Sequence, residues 1–235
     1  MSTQPYAPSQ TFAHLAGWCY LLIIVTGIFG QMFVRNSMIE PGDAATTVQN
    51  LLAEPGFWRA GIIGDLIMHI ADIPVVVFFY LLFRTVNKPL ALIALVSNIF
   101  QTAVAVANKL NLIMPLLILE NGTGVITLSE TEIRLVANFL TAHDYGFGIA
   151  LIFFGISCVL YGLLIIKSRY IPKVIGGGLC AAGACYIINS ATLLAAPHLA
   201  GSVFYVLIVC LIAELTLALW LISKGIRTNT RAMNL

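Results

Sequence analysis

The chain has 235 residues, of which 60% are hydrophobic and only 9% charged, with a formal net charge of +2 and a mean hydropathy of +0.96. A soluble globular domain carries roughly 45–50% apolar and about 25% charged residues, so this composition excludes one and specifies an all-α, polytopic membrane protein. So small a net charge gives no basis for a nucleic-acid partner; the partner it does imply is the lipid bilayer.

Residues 1–11 are polar and lack the basic n-region of a signal peptide, and the apolar run of 12–34 is longer than an h-region, so it reads as a retained first span. In the loop that follows, Asp43 is placed to cap a short surface helix whose Ala44, Val48, Leu51 and Leu52 make one apolar edge. The second span covers 58–84 and the third 90–114, where Pro115 is expected to end it. A turn over 120–124 precedes Ser129-Glu-Thr-Glu132, a capping box expected to open a second short surface helix ending at Phe139. The fourth span, 142–166, begins with His143-Asp144-Tyr145; the fifth, 174–194, is rich in Gly and Ala; the sixth, 203–222, holds Glu214. The expected architecture is a single domain over 1–235, a bundle of six transmembrane helices with two short surface helices on the outer side.

Lys and Arg placement orients the bundle. One side holds Arg84, Lys88, Lys167, Arg169, Lys173, Lys224, Arg227 and Arg231 and no acidic residue. The other holds Arg35, Arg59 and Arg134 against Glu40, Asp43, Glu54, Glu120, Glu130 and Glu132. The first side is expected to be cytoplasmic, with both termini there.

The second span carries Asp65, His69 and Asp72. At ~100° per residue the three fall within an arc of roughly 60°, so they share one face, and a charge at mid-membrane costs roughly 2.5–3.5 kcal/mol unless it meets partners or water. Other spans supply Asn108 and Lys109 near the outer end of the third, His143 and Asp144 at the outer surface, Asn189 in the outer half of the fifth, and Asn98, Gln101 and Glu214 deeper. Together these suggest an outward-facing polar pocket. Lys109 reads as the counter-charge of Asp65 or Asp144, with depth favouring Asp65; Glu214 reads as protonated, as paired to His69, or as part of a proton path.

The stripe has a packing reading, a buried network that only fixes helix contacts, beside readings as a proton or ion relay and as a metal site. A metal would draw on His69, Asp65, His143 and Asp144, because carboxylate oxygen and imidazole nitrogen suit zinc or manganese, although three ligands on one straight helix spread over ~10 Å. No cofactor is expected. The five cysteines, Cys19, Cys158, Cys180, Cys185 and Cys210, lie in apolar runs without metal spacing, and no two histidines share a span at the depth haem ligation needs.

Pro41-Gly-Asp-Ala-Ala, Tyr145-Gly-Phe-Gly, Phe153-Phe-Gly155 and the run from Tyr161 through Lys167-Ser-Arg-Tyr-Ile-Pro172 to Ser190 resemble the bacterial multi-span membrane proteins catalogued as domain of unknown function 4386. The resemblance covers nearly the whole chain. It implies a six-span inner-membrane protein with no established activity, so no catalytic residue carries over. The function expected is binding or transport of a small molecule or ion, with a homodimer favoured for so small a transporter. Two alternatives are a metal-dependent, hydrolase-like intramembrane enzyme and an accessory protein without small-molecule chemistry. Neither HExxH nor GxSxG supports the enzyme.

Overall fold

The computed structural model describes residues 8–120 and 129–227, the side chains of residues 203 and 204 excepted. The turn expected over 121–124 and Arg231 lie outside those residues. Among the described residues six stretches are long and apolar enough to cross a membrane: Gln10–Met38, Pro55–Phe83, Lys88–Glu120, Glu130–Lys167, Lys173–Ala195 and Leu207–Lys224. Among the described residues there is no strand.

The first stretch opens as α1 (Gln10–Ile28), where the Ser9 hydroxyl accepts the Phe12 N–H at 3.2 Å, widens into a π-helical segment (Phe29–Arg35) and closes with the single turn α2 (Asn36–Met38). Hydropathy alone ends this span at Val34 and puts Arg35 in a loop. The π turns admit an extra residue per turn and rotate the angular register, and Arg35 is buried inside the bundle.

The surface helix α3 (Ala44–Ala53) follows, its first turn closed by Asp43, which accepts from Thr46 N–H at 2.9 Å and from the Thr46 hydroxyl at 2.7 Å. Val48 and Leu51 on its apolar edge are buried against Val34, Met38 and Trp58. The chain then enters α4 (Pro55–Phe83), with Pro55 in its first turn where a missing N–H costs nothing, and Pro74 within it.

The third stretch is two helices, α5 (Lys88–Asn108) and α6 (Leu110–Glu120), interrupted at Lys109. Pro115 does not end it as expected. The helix restarts at Leu110 and carries Pro115 in its interior, where the carbonyl left without a helical partner is a loss that membrane helices absorb through their neighbours.

The largest departure from the sequence reading is α7 (Glu130–Lys167), one helix of 38 residues. The capping box at Ser129 is present in both halves, but the helix it opens is continuous with the fourth span, so of the two expected surface helices α3 alone is a separate one. No Gly or Pro falls between Phe139 and Tyr145, and nothing breaks the helix there. At ~1.5 Å per residue it is about 57 Å long, so its first turns project past the ~30 Å hydrocarbon layer.

Then come α8 (Lys173–Ala195), a 3₁₀ turn (Pro197–Leu199), α9 (Ala200–Val203), a second 3₁₀ turn (Phe204–Val206) and α10 (Leu207–Lys224). The last span therefore starts at Leu207 rather than Val203, because Pro197 and Gly201 break the approach into single turns. Gly225 closes α10 at φ 60°, a backbone conformation that glycine adopts without strain, and its N–H bonds back to Leu221 O and Trp220 O.

Helices α7 and α8 meet backbone to backbone. A Cβ placed on Gly162 would stand 2.6 Å from Gly176 O, and one on Gly155 would stand 2.7 Å from Gly183 O. Both pairs are seven residues apart on each helix, so the small residues form one seam along which the helices touch. Among the described residues the apolar side chains form a small core of Ala182, Cys210 and Ala213 between α8 and α10 and two large ones. One, at the end of the bundle where Arg84, Lys88, Lys167 and Lys173 cluster, is built on Phe78, Phe79, Phe83, Tyr161, Ile165 and Leu221. The other, at the α3 end, is built on Val34, Leu51, Trp58, Leu112 and Val136. The polar residues lie between these cores.

Candidate functional site

The polar stripe on α4 faces the bundle. Asp65 and His69 are buried and Asp72 half-buried, while Ile63, Ile67, Ile70 and Ile73 on the opposite face are exposed. The chain needs this arrangement because leucine and isoleucine meet lipid at no cost and a carboxylate does not.

Toward the α3 end, Asp65 sits between two cations. Its Oδ2 accepts from Arg35 Nη1 at 2.7 Å and from Lys109 Nζ at 2.8 Å, with Arg35 Nη2 at 3.4 Å from Oδ1. Lys109 can reach inward because the α5–α6 interruption falls on it. Arg35 is held from behind by Gln31, whose Oε1 accepts its Nε–H at 2.9 Å. Gly30 of the π segment is the close neighbour of Asp65 Oδ1, and any Cβ there would collide with the carboxylate. Sequence reasoning finds Lys109 and misses Arg35; the only signal is that Arg35 ends an apolar run, and the π register that turns it inward cannot be read from spacing.

Beside the triad, Asn108 donates from Nδ2 to His143 O at 2.8 Å and stands 3.1 Å from His143 Nδ1. His143 stacks on Phe147, with ring centroids 6.2 Å apart, and Lys109 Nζ lies 5.9 Å from the Phe147 centroid. Phe147 is also a wall of the cavity that lies deeper.

That cavity has a volume of about 230 Å³ and is lined by all six long stretches. Its walls are apolar and aromatic, from Ile24, Val75, Phe79, Phe154 and Leu211 among others, and its polar groups are few: His69, Asp72, Asn98, Gln101, Ser157, Glu214 and the tyrosines Tyr20, Tyr161 and Tyr186. Asp72 accepts from the Thr102 hydroxyl at 2.9 Å, and Glu214 accepts from the Tyr186 hydroxyl at 2.6 Å. His69 Nε2 and the Tyr161 hydroxyl are buried and make no hydrogen bond among the described residues. Glu214 is thus paired to a tyrosine of α8 rather than to His69. Of Tyr186, Tyr161 and Thr102, the sequence singles out none, since a hydroxyl within an apolar run reads as core or belt.

Two expected members stand apart. Asp144 is exposed and lines a second pocket at the α3 end with Glu40 and Asp43, and Asn189 is half-buried away from the cavity. Asn108, Lys109, Asp65 and His143 form the triad layer and do not line the cavity. Among the described residues no three His, Cys, Asp or Glu side chains gather in a metal-holding group, and the four metal candidates, His69, Asp65, His143 and Asp144, are divided among three separate places. All five cysteines are free.

A protein of Archaeoglobus fulgidus described as uncharacterized is 27% identical over 164 residues, which cover 70% of this chain and 83% of its own length. No solved structure matches the chain. A family model matches residues 15–225, so that all six long helices fall within it wholly or nearly so, and the chain belongs to the family described as Domain of unknown function (DUF4386).

Proposed function

We propose that this integral membrane protein binds a small amphipathic molecule in the cavity between its six long helices. The observation that carries the reading is the lining. A concave space with apolar and aromatic walls and a few convergent polar groups is the usual form of a ligand site, and here His69 Nε2 and the Tyr161 hydroxyl are buried beside it with no hydrogen-bond partner among the described residues. Buried polar groups in native proteins are almost all satisfied; of the four buried side-chain atoms without a partner among the described residues, Ser190 Oγ and Trp220 Nε1 lie elsewhere, and the two beside this cavity favour an occupant that supplies their hydrogen bonds. Transport is the natural extension, since carriers hold their substrates near the bilayer midplane where many helices meet.

The reading places the protein in a bacterial-type cytoplasmic membrane, as one domain, with the Arg84, Lys88, Lys167, Arg169, Lys173, Lys224 and Arg227 end in the cytoplasm. In a background without native cysteines, Asp43→Cys should react with an impermeant maleimide on intact cells and Arg169→Cys should not; the reverse pattern would invert the orientation.

For binding, detergent-purified protein is screened by thermal unfolding against membrane-soluble small molecules. A ligand at a hundred times its Kd stabilises by about 2.7 kcal/mol. Leu151, a buried wall residue, becomes Trp in a variant that fills the space. The hits should stabilise the wild type and lose their effect on Leu151→Trp. Hits that act equally on both proteins would move the site elsewhere.

A further inference from the structure

Two carboxylates, Asp72 on α4 and Glu214 on α10, line the cavity, and no Lys or Arg does. Among the described residues neither carboxylate forms an ion pair: each is held by neutral donors, the Thr102 hydroxyl and the Tyr186 hydroxyl. The two cations buried nearest, Arg35 and Lys109, are both taken by Asp65. Among the described residues the cavity therefore holds two acidic side chains and no Lys or Arg to balance them when they ionise.

Its walls add a second attraction of the same sign. Tyr20, Phe79, Phe147, Phe154, Tyr161 and Tyr186 all line it. Aromatic faces carry partial negative charge and draw cations within about 6 Å, and a cage of several is the recurrent way of holding alkylated ammonium groups. A neutral guest can offer two carboxylates hydrogen bonds at most and an anion is repelled by them; a cation also offsets the penalty of burying their charge. The unpartnered His69 Nε2 and Tyr161 hydroxyl are independent marks of an occupant and offer it hydrogen bonds.

We infer that the molecule bound in this cavity is an amphipathic organic cation, an amine or quaternary ammonium with an apolar or aromatic body, whose charge lies between Asp72 and Glu214. This rests on the binding reading given above and deepens it by naming the ligand's class.

The test uses three probes of similar shape on the wild-type protein in detergent: phenyltrimethylammonium, its neutral isostere tert-butylbenzene, and benzenesulfonate. Affinities come from equilibrium titration, with the shift in unfolding temperature as a second readout. The cation should bind at least tenfold tighter than the neutral isostere, and benzenesulfonate weakest. Asp72→Asn and Glu214→Gln should each weaken the cation at least fivefold and leave tert-butylbenzene unchanged. If the neutral isostere binds as tightly as the cation, the inference falls while the binding reading stands. If none of the three binds, the inference falls as well, and the binding reading is then decided separately by the library screen and the Leu151→Trp variant. The wild-type comparison needs no variant to fold.

Discussion

Lys109 Nζ stands 2.8 Å from Asp65 Oδ2, yet Asp65 does not depend on Lys109 alone, because Arg35 Nη1 approaches the same oxygen at 2.7 Å. The buried group carries one negative and two positive charges. Removing either cation leaves a matched pair; removing the anion leaves two like charges facing each other in a low-dielectric site. Asp65→Asn should therefore be the most damaging change, costing roughly 3–5 kcal/mol, as when a buried pair loses one partner. Lys109→Met should cost less, about 1–2 kcal/mol for lost charge-assisted hydrogen bonding. The double variant Asp65→Asn with Lys109→Met should be more stable than Asp65→Asn alone. Thermal unfolding in detergent measures all three, and a Lys109→Met loss as large as that of Asp65→Asn would refute this charge balance.

The glycine seam between α7 and α8 makes a second claim on stability. At Gly162 even a methyl group would stand 2.6 Å from a backbone oxygen, which cannot swing aside as a side chain can. Gly162→Ala should cost about 1–3 kcal/mol, the usual range for overpacking, and Gly162→Leu more. Gly177, one residue away from the seam on α8, is exposed, and a methyl group added to it would meet nothing within 4 Å. There Gly177→Ala should be neutral or stabilising by up to about 1 kcal/mol through helix propensity. Equal losses at both positions, measured by unfolding, would show that the seam is not where the helices touch.

These residues show what could be read in advance. Hydropathy locates the spans because the bilayer imposes a length and an apolar surface that no soluble contact imitates. The spacing of Asp65, His69 and Asp72 puts them on one face because helix geometry is periodic, and depth singles out Asp65 as the residue for Lys109 to meet. The burial of Arg35 is not legible, since it depends on a π-helical stretch that ordinary 3.6-residue spacing does not describe. Nor is the union of Ser129–Phe139 with the fourth span, because a capping box marks where a helix starts and says nothing of where it stops. The cavity itself is hidden: it is a property of six helices meeting, and Tyr161 and Tyr186 become site residues only once α7, α8 and α10 are placed together.

At the α3 end, the Asp43 carboxylate is exposed, and the backbone N–H and hydroxyl of Thr46 hold it below the usual carboxylate range. A carboxyl whose folded-state value is depressed adds stability above its unfolded value of about 3.9 and loses it as pH falls through the lower, folded value. The first turn of α3 should therefore loosen below about pH 4. Amide exchange at Thr46 and Thr47, followed by mass spectrometry and corrected for intrinsic pH dependence, should accelerate there in the wild type. In Asp43→Ala it should already be fast at neutral pH. A wild-type rate indifferent to pH through this window would mean that the cap is not formed.

The pair of Tyr186 and Glu214 gives the last prediction. Glu214 is buried on α10, and its hydrogen-bond donor, Tyr186, comes from α8 at 2.6 Å, so the bond ties together two helices. Tyr186→Phe keeps the ring, its edge-to-face contact with Phe154 at 5.2 Å and the apolar volume, and removes only the hydroxyl. What remains is a buried carboxyl with one acceptor unsatisfied, a loss of about 1–3 kcal/mol. Glu214→Gln keeps an acceptor oxygen for the tyrosine and removes the acid, so it should cost less than Tyr186→Phe. Glu214→Leu combined with Tyr186→Phe replaces both polar partners by apolar groups of similar shape and should recover most of the Tyr186→Phe loss. The coupling energy from the cycle of Tyr186→Phe, Glu214→Leu and the double variant isolates the bond. A coupling near zero would mean that the two side chains are not joined in the folded protein, and Tyr20 would then be the remaining tyrosine beside Glu214.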